Sequence, residues 1–248
     1  MTAASVVIPT RSRPAYLEVA LSSIVPQALG CEAEVLVIDD AGESADVRAL
    51  TERAGARYEP HPGPLGLNAA RNTGVERSSG ELVVFVDDDV RACPGWMQAL
   101  LDGAREYPDA DVFTGPVIAR LEGPAPHSCG REAPPITTLD LGEQDTPAGF
   151  AWGANMAIRR SALRLAGPFD VSLEHGGDEQ EWQERLPRLG GAARPRYLSH
   201  ARVEHRRAGP DARLRALSAT AYTRGRAARR FDVRRGAAGT SRSTRSRS

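Results

Sequence analysis

The stretch Gly80–Val90 reads GELVVFVDDDV, five apolar residues running without pause into three aspartates. A wholly apolar, β-branched run of this length reads as a strand buried on both faces, as in a parallel sheet. The aspartates at its end pose the problem. Adjacent like charges repel, and an unpaired carboxylate is costly near a core. A positive partner is therefore expected at this strand end.

Working outward, the same grammar recurs. ASVVIP (4–9) and AEVLVIDD (33–40) are further buried strands, and ARYEP (56–60) is a weaker one. Between them lie helical patterns. The first, SRPAYLEVALSSIVPQ (12–27), has Pro14 in its first turn and Leu17, Ala20, Leu21 and Ile24 on one face. The second, 43–55, is stopped by Gly55. GLNAARNTGVERSSG (66–80) is the third and PGWMQALLDGAREYP (94–108) the fourth; ADVFTGPVIARL (110–121) closes the series as one strand. Strands alternating with helices predict an α/β fold with a mostly parallel central sheet. Ligands of such sheets bind beyond the carboxyl ends of the strands. IPTR, VIDDAG and FVDDDV all place their polar residues there.

Residues 122–149, rich in Pro and Gly, predict a long surface loop able to act as a lid. FAWGANMAIRRSALRLAG (150–167) follows as a strand leading into a short helix, and GGDEQEWQERLPRLG (176–190) as a helix opening with acids. ARPRYLSHARVEH (193–205) is an extended return, 211–231 a final arginine-bearing helix, and the end a disordered basic tail. The expected organisation is one domain over 1–235 with a tail at 236–248. Within it, 1–120 form a first half, 121–210 a second half, and 211–235 a basic helix.

The chain has 248 residues with 41% hydrophobic and 26% charged content, ordinary for a globular protein. All 32 basic residues are arginine, which excludes lysine-dependent chemistry and the phosphate-binding loop that ends in lysine. Net charge is zero, yet from Arg202 onward 14 arginines face 3 acids. Such an end suits phosphates, an anionic lipid surface or an acidic partner. Nucleic acid is not expected, since the region has few aromatics and no recognised motif. Three scattered cysteines give neither a disulfide framework nor a zinc site. No apolar run reaches membrane length. The expected location is the cytoplasm, with a peripheral position at the inner face of the membrane left open by the basic end.

The motifs point to metal-assisted chemistry on a phosphorylated ligand. Carboxylates at a strand end suit a hard divalent cation such as Mg2+ or Mn2+, which keeps open positions for a substrate's phosphates. Asp39 or Asp40 can accept hydrogen bonds from a base or ribose, and Thr10 and Arg11 can donate them. Arg71 follows a Gly-rich turn and can reach a diphosphate. Asp178, Glu179 and Glu181 crowd a helix start, where one can serve as general base. His205 gains meaning only if the aspartates need another metal ligand.

Taken in order, SVVIPTRSRPAYLEVALSSI, EVLVIDDAG, GLNAARNTGV, GELVVFVDDDV and GGDEQEW resemble the family 2 glycosyltransferases over about residues 4 to 207. The resemblance implies an inverting enzyme of GT-A fold: a Rossmann-like, mostly parallel sheet flanked by helices, with a C-terminal acceptor-side portion. It implies that Pro9, Thr10, Arg11 and Asp40 hold the nucleotide's base and ribose, and that Arg71 lies near the base or diphosphate. DDD becomes the D-x-D-type motif, with Asp87 or Asp88 near the ribose and Asp89 on the metal. His205 matches a histidine that completes the metal site in many relatives. Gly153 and Asn155 match a segment near donor sugar and acceptor.

The family's usual Glu-Asp pair is reversed here as Asp178-Glu179. By register Glu179 takes the base position, with Asp178 as the other candidate. The processive members' Q-x-x-R-W is absent, so one sugar per turnover is expected. The implied partners are a nucleotide-diphosphate sugar, an acceptor the sequence does not identify, and a divalent cation, Mn2+ or Mg2+. Two other readings remain at this point: a nucleotidyltransferase, and a non-catalytic binding protein with a degenerate transferase fold.

Overall fold

The computed structural model describes residues 2–123, 136–173, 177–192 and 194–234. The first half alternates as β1 (Ala4–Thr10), α1 (Pro14–Gly30), β2 (Glu34–Asp39), α2 (Ala45–Ala54), β3 (Arg57–Pro60), α3 (Leu67–Arg77) and β4 (Leu82–Phe85). Then come β5 (Val90–Ala92), α4 (Trp96–Glu106), β6 (Val112–Thr114), β7 (Val117–Glu122) and β8 (Thr146–Pro147). The remainder is β9 (Met156–Arg159), α5 (Arg160–Ala166), α6 (Asp178–Arg188), β10 (Arg196–Tyr197), β11 (Val203–Ala208) and α7 (Leu214–Arg234).

Eight strands form one sheet in the order β3-β2-β1-β4-β9-β6-β10-β8. The strands β3, β2, β1 and β4 run parallel, and β9 is antiparallel to both β4 and β6. Side chains of a strand alternate between faces. Val6 and Ile8 therefore join the cluster under α1 and α4, with Leu17, Leu21, Trp96 and Leu100. Val7 joins the opposite cluster, with Ala70, Phe169 and Trp182 from α3 and the approach to and body of α6. Both faces are covered, which is why β1, β2 and β4 read as unbroken apolar runs.

Three differences from the sequence expectation shape the site. The strand of the opening stretch stops at Phe85, and a turn closed by Val90 N–H to the Asp87 carbonyl at 3.2 Å carries the aspartates. The segment expected as a single closing strand is two. It breaks at Gly115-Pro116, where proline offers no backbone donor, so β6 stays in the large sheet and β7 enters a small one ordered β5-β11-β7. The third concerns the expected surface loop. Of that segment, 124–135 lie outside the described residues; the rest is anchored, with Val117 and Leu139 exchanging backbone bonds and β8 pairing with β10. The expected tail, 236–248, also lies outside the described residues.

Candidate active site

The carboxyl ends of β1, β2 and β4 lie side by side, with Thr10 opposite Asp39 in register. The small sheet completes the edge. Its antiparallel pairing sets His205 against Val90, and Arg206 N–H donates to the Asp89 carbonyl at 2.9 Å. One strand register thus delivers His205 to an aspartate 116 positions earlier in the chain.

The three aspartates have three environments. Asp88 is buried and accepts from Thr10 Oγ1 at 2.7 Å and from the Arg13 guanidinium, which grips both its oxygens. Burial pushes its carboxyl up to about 7 against the pull of Arg13. Asp89 is buried too, and its Oδ2 accepts from Arg13 Nη1 at 3.0 Å and from Arg207. Burial works to raise this carboxyl as well, but His205, Arg207 and Arg13 hold it well below the usual carboxylate range. Asp87 is half-buried and stands with Asp89 and His205 in a group whose ligand atoms lie within 4.8 Å of one another.

That group has the donor set of a divalent-cation site. Asp89 Oδ1 and His205 Nε2 are buried and face each other at 3.2 Å, an ion-pair contact whose alignment falls short of a hydrogen bond, and no other described residue bonds either atom. Orphaned buried polar atoms are rare and ask for a partner. The other imidazole nitrogen, Nδ1, lies 3.1 Å from the Thr137 carbonyl. In the neutral ring this places the proton on Nδ1 and leaves the Nε2 lone pair for a metal. Carboxylate oxygens and one imidazole suit Mn2+ or Mg2+.

A second cluster lies beside the first. Arg71 of α3, 1% exposed, reaches across to Asp178 at 2.7 Å and Glu179 at 2.6 Å in the first turn of α6. Acids are favoured there by the exposed N–H groups of the helix start. Glu179 Oε1 also accepts from Gly153 N–H at 3.0 Å. A Cβ at position 153 would fall 2.1 Å from the Arg71 guanidinium and 2.2 Å from Glu179 Oε1, so only glycine allows the approach. Burial pushes Glu179 up to about 7, Asp178 and Asp87 add to the rise, and Arg71 opposes it. No described residue bonds Glu179 Oε2, and the side chain keeps 16% exposure. Asp87 acts electrostatically on both Arg71 and Glu179, which makes the two clusters neighbours.

The remaining expected site residues are placed as follows. Arg11 is exposed at the end of β1, and Pro9 is buried within it. Asp40 accepts from His61 Nδ1 at 2.8 Å and from Leu65 and Gly66 N–H, so it orders the turn into α3. Asn155 is fully buried, accepting from Trp96 Nε1 at 2.9 Å and donating to the Ala201 carbonyl at 2.7 Å. Its amide braces the segment carrying Gly153. Arg71, expected near the base or diphosphate, pairs with the acids of α6. Asp87, expected near the ribose, joins Asp89 and His205. Sequence reasoning missed Arg13 and Arg207, the positive partners that the aspartates demanded; a lone arginine in PTRSRP or HRR carries no spacing signal. It also missed His61, which joins Asp40 to Thr73.

A mostly parallel sheet with acidic strand ends, a crossing histidine strand and an acidic helix start is the arrangement of the GT-A fold. The chain belongs to glycosyl transferase family 2, whose model matches residues 5–165. It is 31% identical over 211 residues to a pre-mycofactocin glycosyltransferase of Mycobacterium tuberculosis, covering 81% of this chain and 42% of that one. It is 26% identical over 149 residues to a glucosyl-dolichyl phosphate glucuronosyltransferase of Haloferax volcanii, covering 57% and 48%. The chain thus spans less than half the length of these relatives. Among solved structures, GalNAc-T7 with UDP, GalNAc and Mn2+ superposes with a TM-score of 0.66 at 15% identity, covering 90% of this chain and 48% of that one. Among the described residues, no helix is long and apolar enough to cross a membrane.

Proposed function

We propose that the protein transfers one sugar from a nucleotide-diphosphate sugar to an acceptor hydroxyl or amine, inverting the anomeric centre in a single displacement. The observation that carries this reading is the adjacency of two clusters: Asp87, Asp89 and His205 as a cation site, and Arg71 holding Glu179 with one oxygen free. A divalent cation held by the first group would neutralise charge growing on the leaving diphosphate. Glu179, with its carboxyl near 7, takes the acceptor's proton as that atom attacks. Arg71 and Gly153 N–H fix Oε1, which turns the other oxygen toward the acceptor. Asp178, tied to Arg71, is the other candidate base and in this reading positions the arginine. A single displacement needs no covalent nucleophile, and the oxocarbenium-like state resembles that of glycoside hydrolysis.

In this reading the nucleotide lies along Pro9, Thr10, Arg11, Asp40 and Asp88, at the carboxyl ends of β1, β2 and β4. The GalNAc-T7 neighbour, solved with UDP and Mn2+, supports a nucleotide-sugar donor and a divalent ion for this fold. The exposed face of α7 carries Arg215, Tyr222, Arg226 and Arg229, which suits peripheral contact with an anionic membrane at the cytoplasmic face. The test is product identity. The chain is incubated with Mn2+ and UDP-, GDP-, TDP- or CDP-sugars, and free nucleoside diphosphate is measured. Release from one donor class supports the reading. Pyrophosphate released from a nucleoside triphosphate, with no diphosphate from any sugar donor, overturns it.

A further inference from the structure

The three aspartates are not waiting bare for a cation. Arg13 grips both oxygens of Asp88 and donates to Asp89 Oδ2, and Arg207 donates to the same Oδ2. Three carboxylates against two guanidiniums leave at most one net negative charge. A site built only to capture a free divalent ion would leave its acids uncompensated, because affinity grows with ligand charge. Here Asp89 is divided. Oδ2 is held by arginines, while Oδ1 faces His205 without a hydrogen bond.

We propose that Arg13 and Arg207 are built-in counter-cations that repel a bare divalent ion and make its uptake depend on a diphosphate. The inference rests on the transferase reading for the identity of the anion. Two positive charges on the same carboxylate as Asp89 Oδ1 oppose a lone cation. They favour the same cation when it arrives with the negative charge of a diphosphate.

The two arginines divide the work by burial. The side chain of Arg207 is 11% exposed and stays on Asp89, while that of Arg13 is 39% exposed, against 2% and 3% for Asp88 and Asp89. Arg13 is thus the member at the mouth, where its charge faces an incoming phosphate. The local chain aims it. Ser12 takes a left-handed φ of 55°, Arg11 faces solvent, and the Arg13 guanidinium lies 5.1 Å from the Tyr16 ring centre.

The experiment titrates Mn2+ into the full chain by electron paramagnetic resonance, alone and with saturating UDP, GDP, TDP or CDP. Wild type, Arg13→Gln, Arg13→Lys and Arg207→Gln are compared, with circular dichroism checking their folds. Wild type is expected to hold Mn2+ at least about tenfold more tightly with one diphosphate than without. Arg13→Gln should bind Mn2+ alone about tenfold more tightly than wild type and lose most of that enhancement. Arg13→Lys should keep the wild-type pattern, and Arg207→Gln should follow Arg13→Gln. The proposal is overturned if Arg13→Gln binds Mn2+ alone no better than wild type, or if Arg13→Lys behaves like Arg13→Gln. Failure of every diphosphate to bind wild type would instead remove the donor reading, and the Mn2+-alone comparison would still decide the counter-cation role.

Discussion

Replacing Glu179 by glutamine should stabilise the protein at alkaline pH while sharply lowering turnover. The side chain sits beside Asp178 and Asp87, and its carboxyl is raised from 4.5 to about 7, with burial the largest cause. A carboxyl with a raised folded value holds its proton in the native state after the unfolded chain has lost it. Stability is therefore fully present below about 4.5, falls as pH rises toward 7, and stays lowered above that. A rise of this size corresponds to about 3 kcal/mol, an upper figure. Glutamine carries no charge, and its carbonyl oxygen can still accept from Arg71 and Gly153 N–H. The stability difference, Glu179→Gln minus wild type, should thus grow by about 2–3 kcal/mol between pH 4.5 and 8 and then level off. Urea unfolding at pH 4.5, 6, 7 and 8 measures it. In the same variant kcat should drop about 10²- to 10⁴-fold, the usual worth of a positioned base. Wild-type turnover should rise with pH through about 7, as Glu179 loses its proton. A difference that is flat across these pH values would refute the assignment of a raised, largely desolvated base to Glu179.

Other perturbations follow from the same geometry. Asp89→Asn should abolish the rise in melting temperature produced by Mn2+ together with the matching diphosphate and also cost stability, since Arg13 and Arg207 lose their charged partner; calorimetry without ligands and with both reads the two effects. Gly153→Ala should lower kcat about 100-fold with the fold intact by circular dichroism, because its Cβ would displace Arg71 and Glu179. Gly177→Ala should lower the melting temperature and expose α7 to protease. Gly177 has a φ of +83°, and its Cβ would fall 2.5 Å from Phe231, which packs α7 beside the start of α6. The left-handed backbone alone costs alanine about 1–2 kcal/mol.

What the sequence revealed follows from which interactions are local. Burial of β1, β2 and β4 on both faces left continuous apolar runs. Polar residues placed directly after those runs marked one edge of the sheet. The aspartates and Glu179 drew attention because they follow a strand or open a helix; His205, inside β11, gained meaning only through the aspartates and the family resemblance. The small sheet could not be read, because β5 has three residues and pairs with a strand near the other end of the chain. For the same reason residues 110–121 read as one strand, although proline at 116 is the visible sign of the break between β6 and β7. Arg13 and Arg207 meet Asp89 across 76 and 118 positions, and no periodicity records such a pairing. The carboxylates predicted that a positive group must be near; folding decided which arginines supply it.

The cation site is tested most directly by the melting temperature of wild type and Asp89→Asn with UDP, GDP, TDP and CDP, each with and without Mn2+. One diphosphate should stabilise the wild type only when Mn2+ is present, and Asp89→Asn should show no such gain. Stabilisation independent of Mn2+, or equal in the two proteins, would contradict the assignment of Asp87, Asp89 and His205 as the cation site that serves a nucleotide-sugar donor.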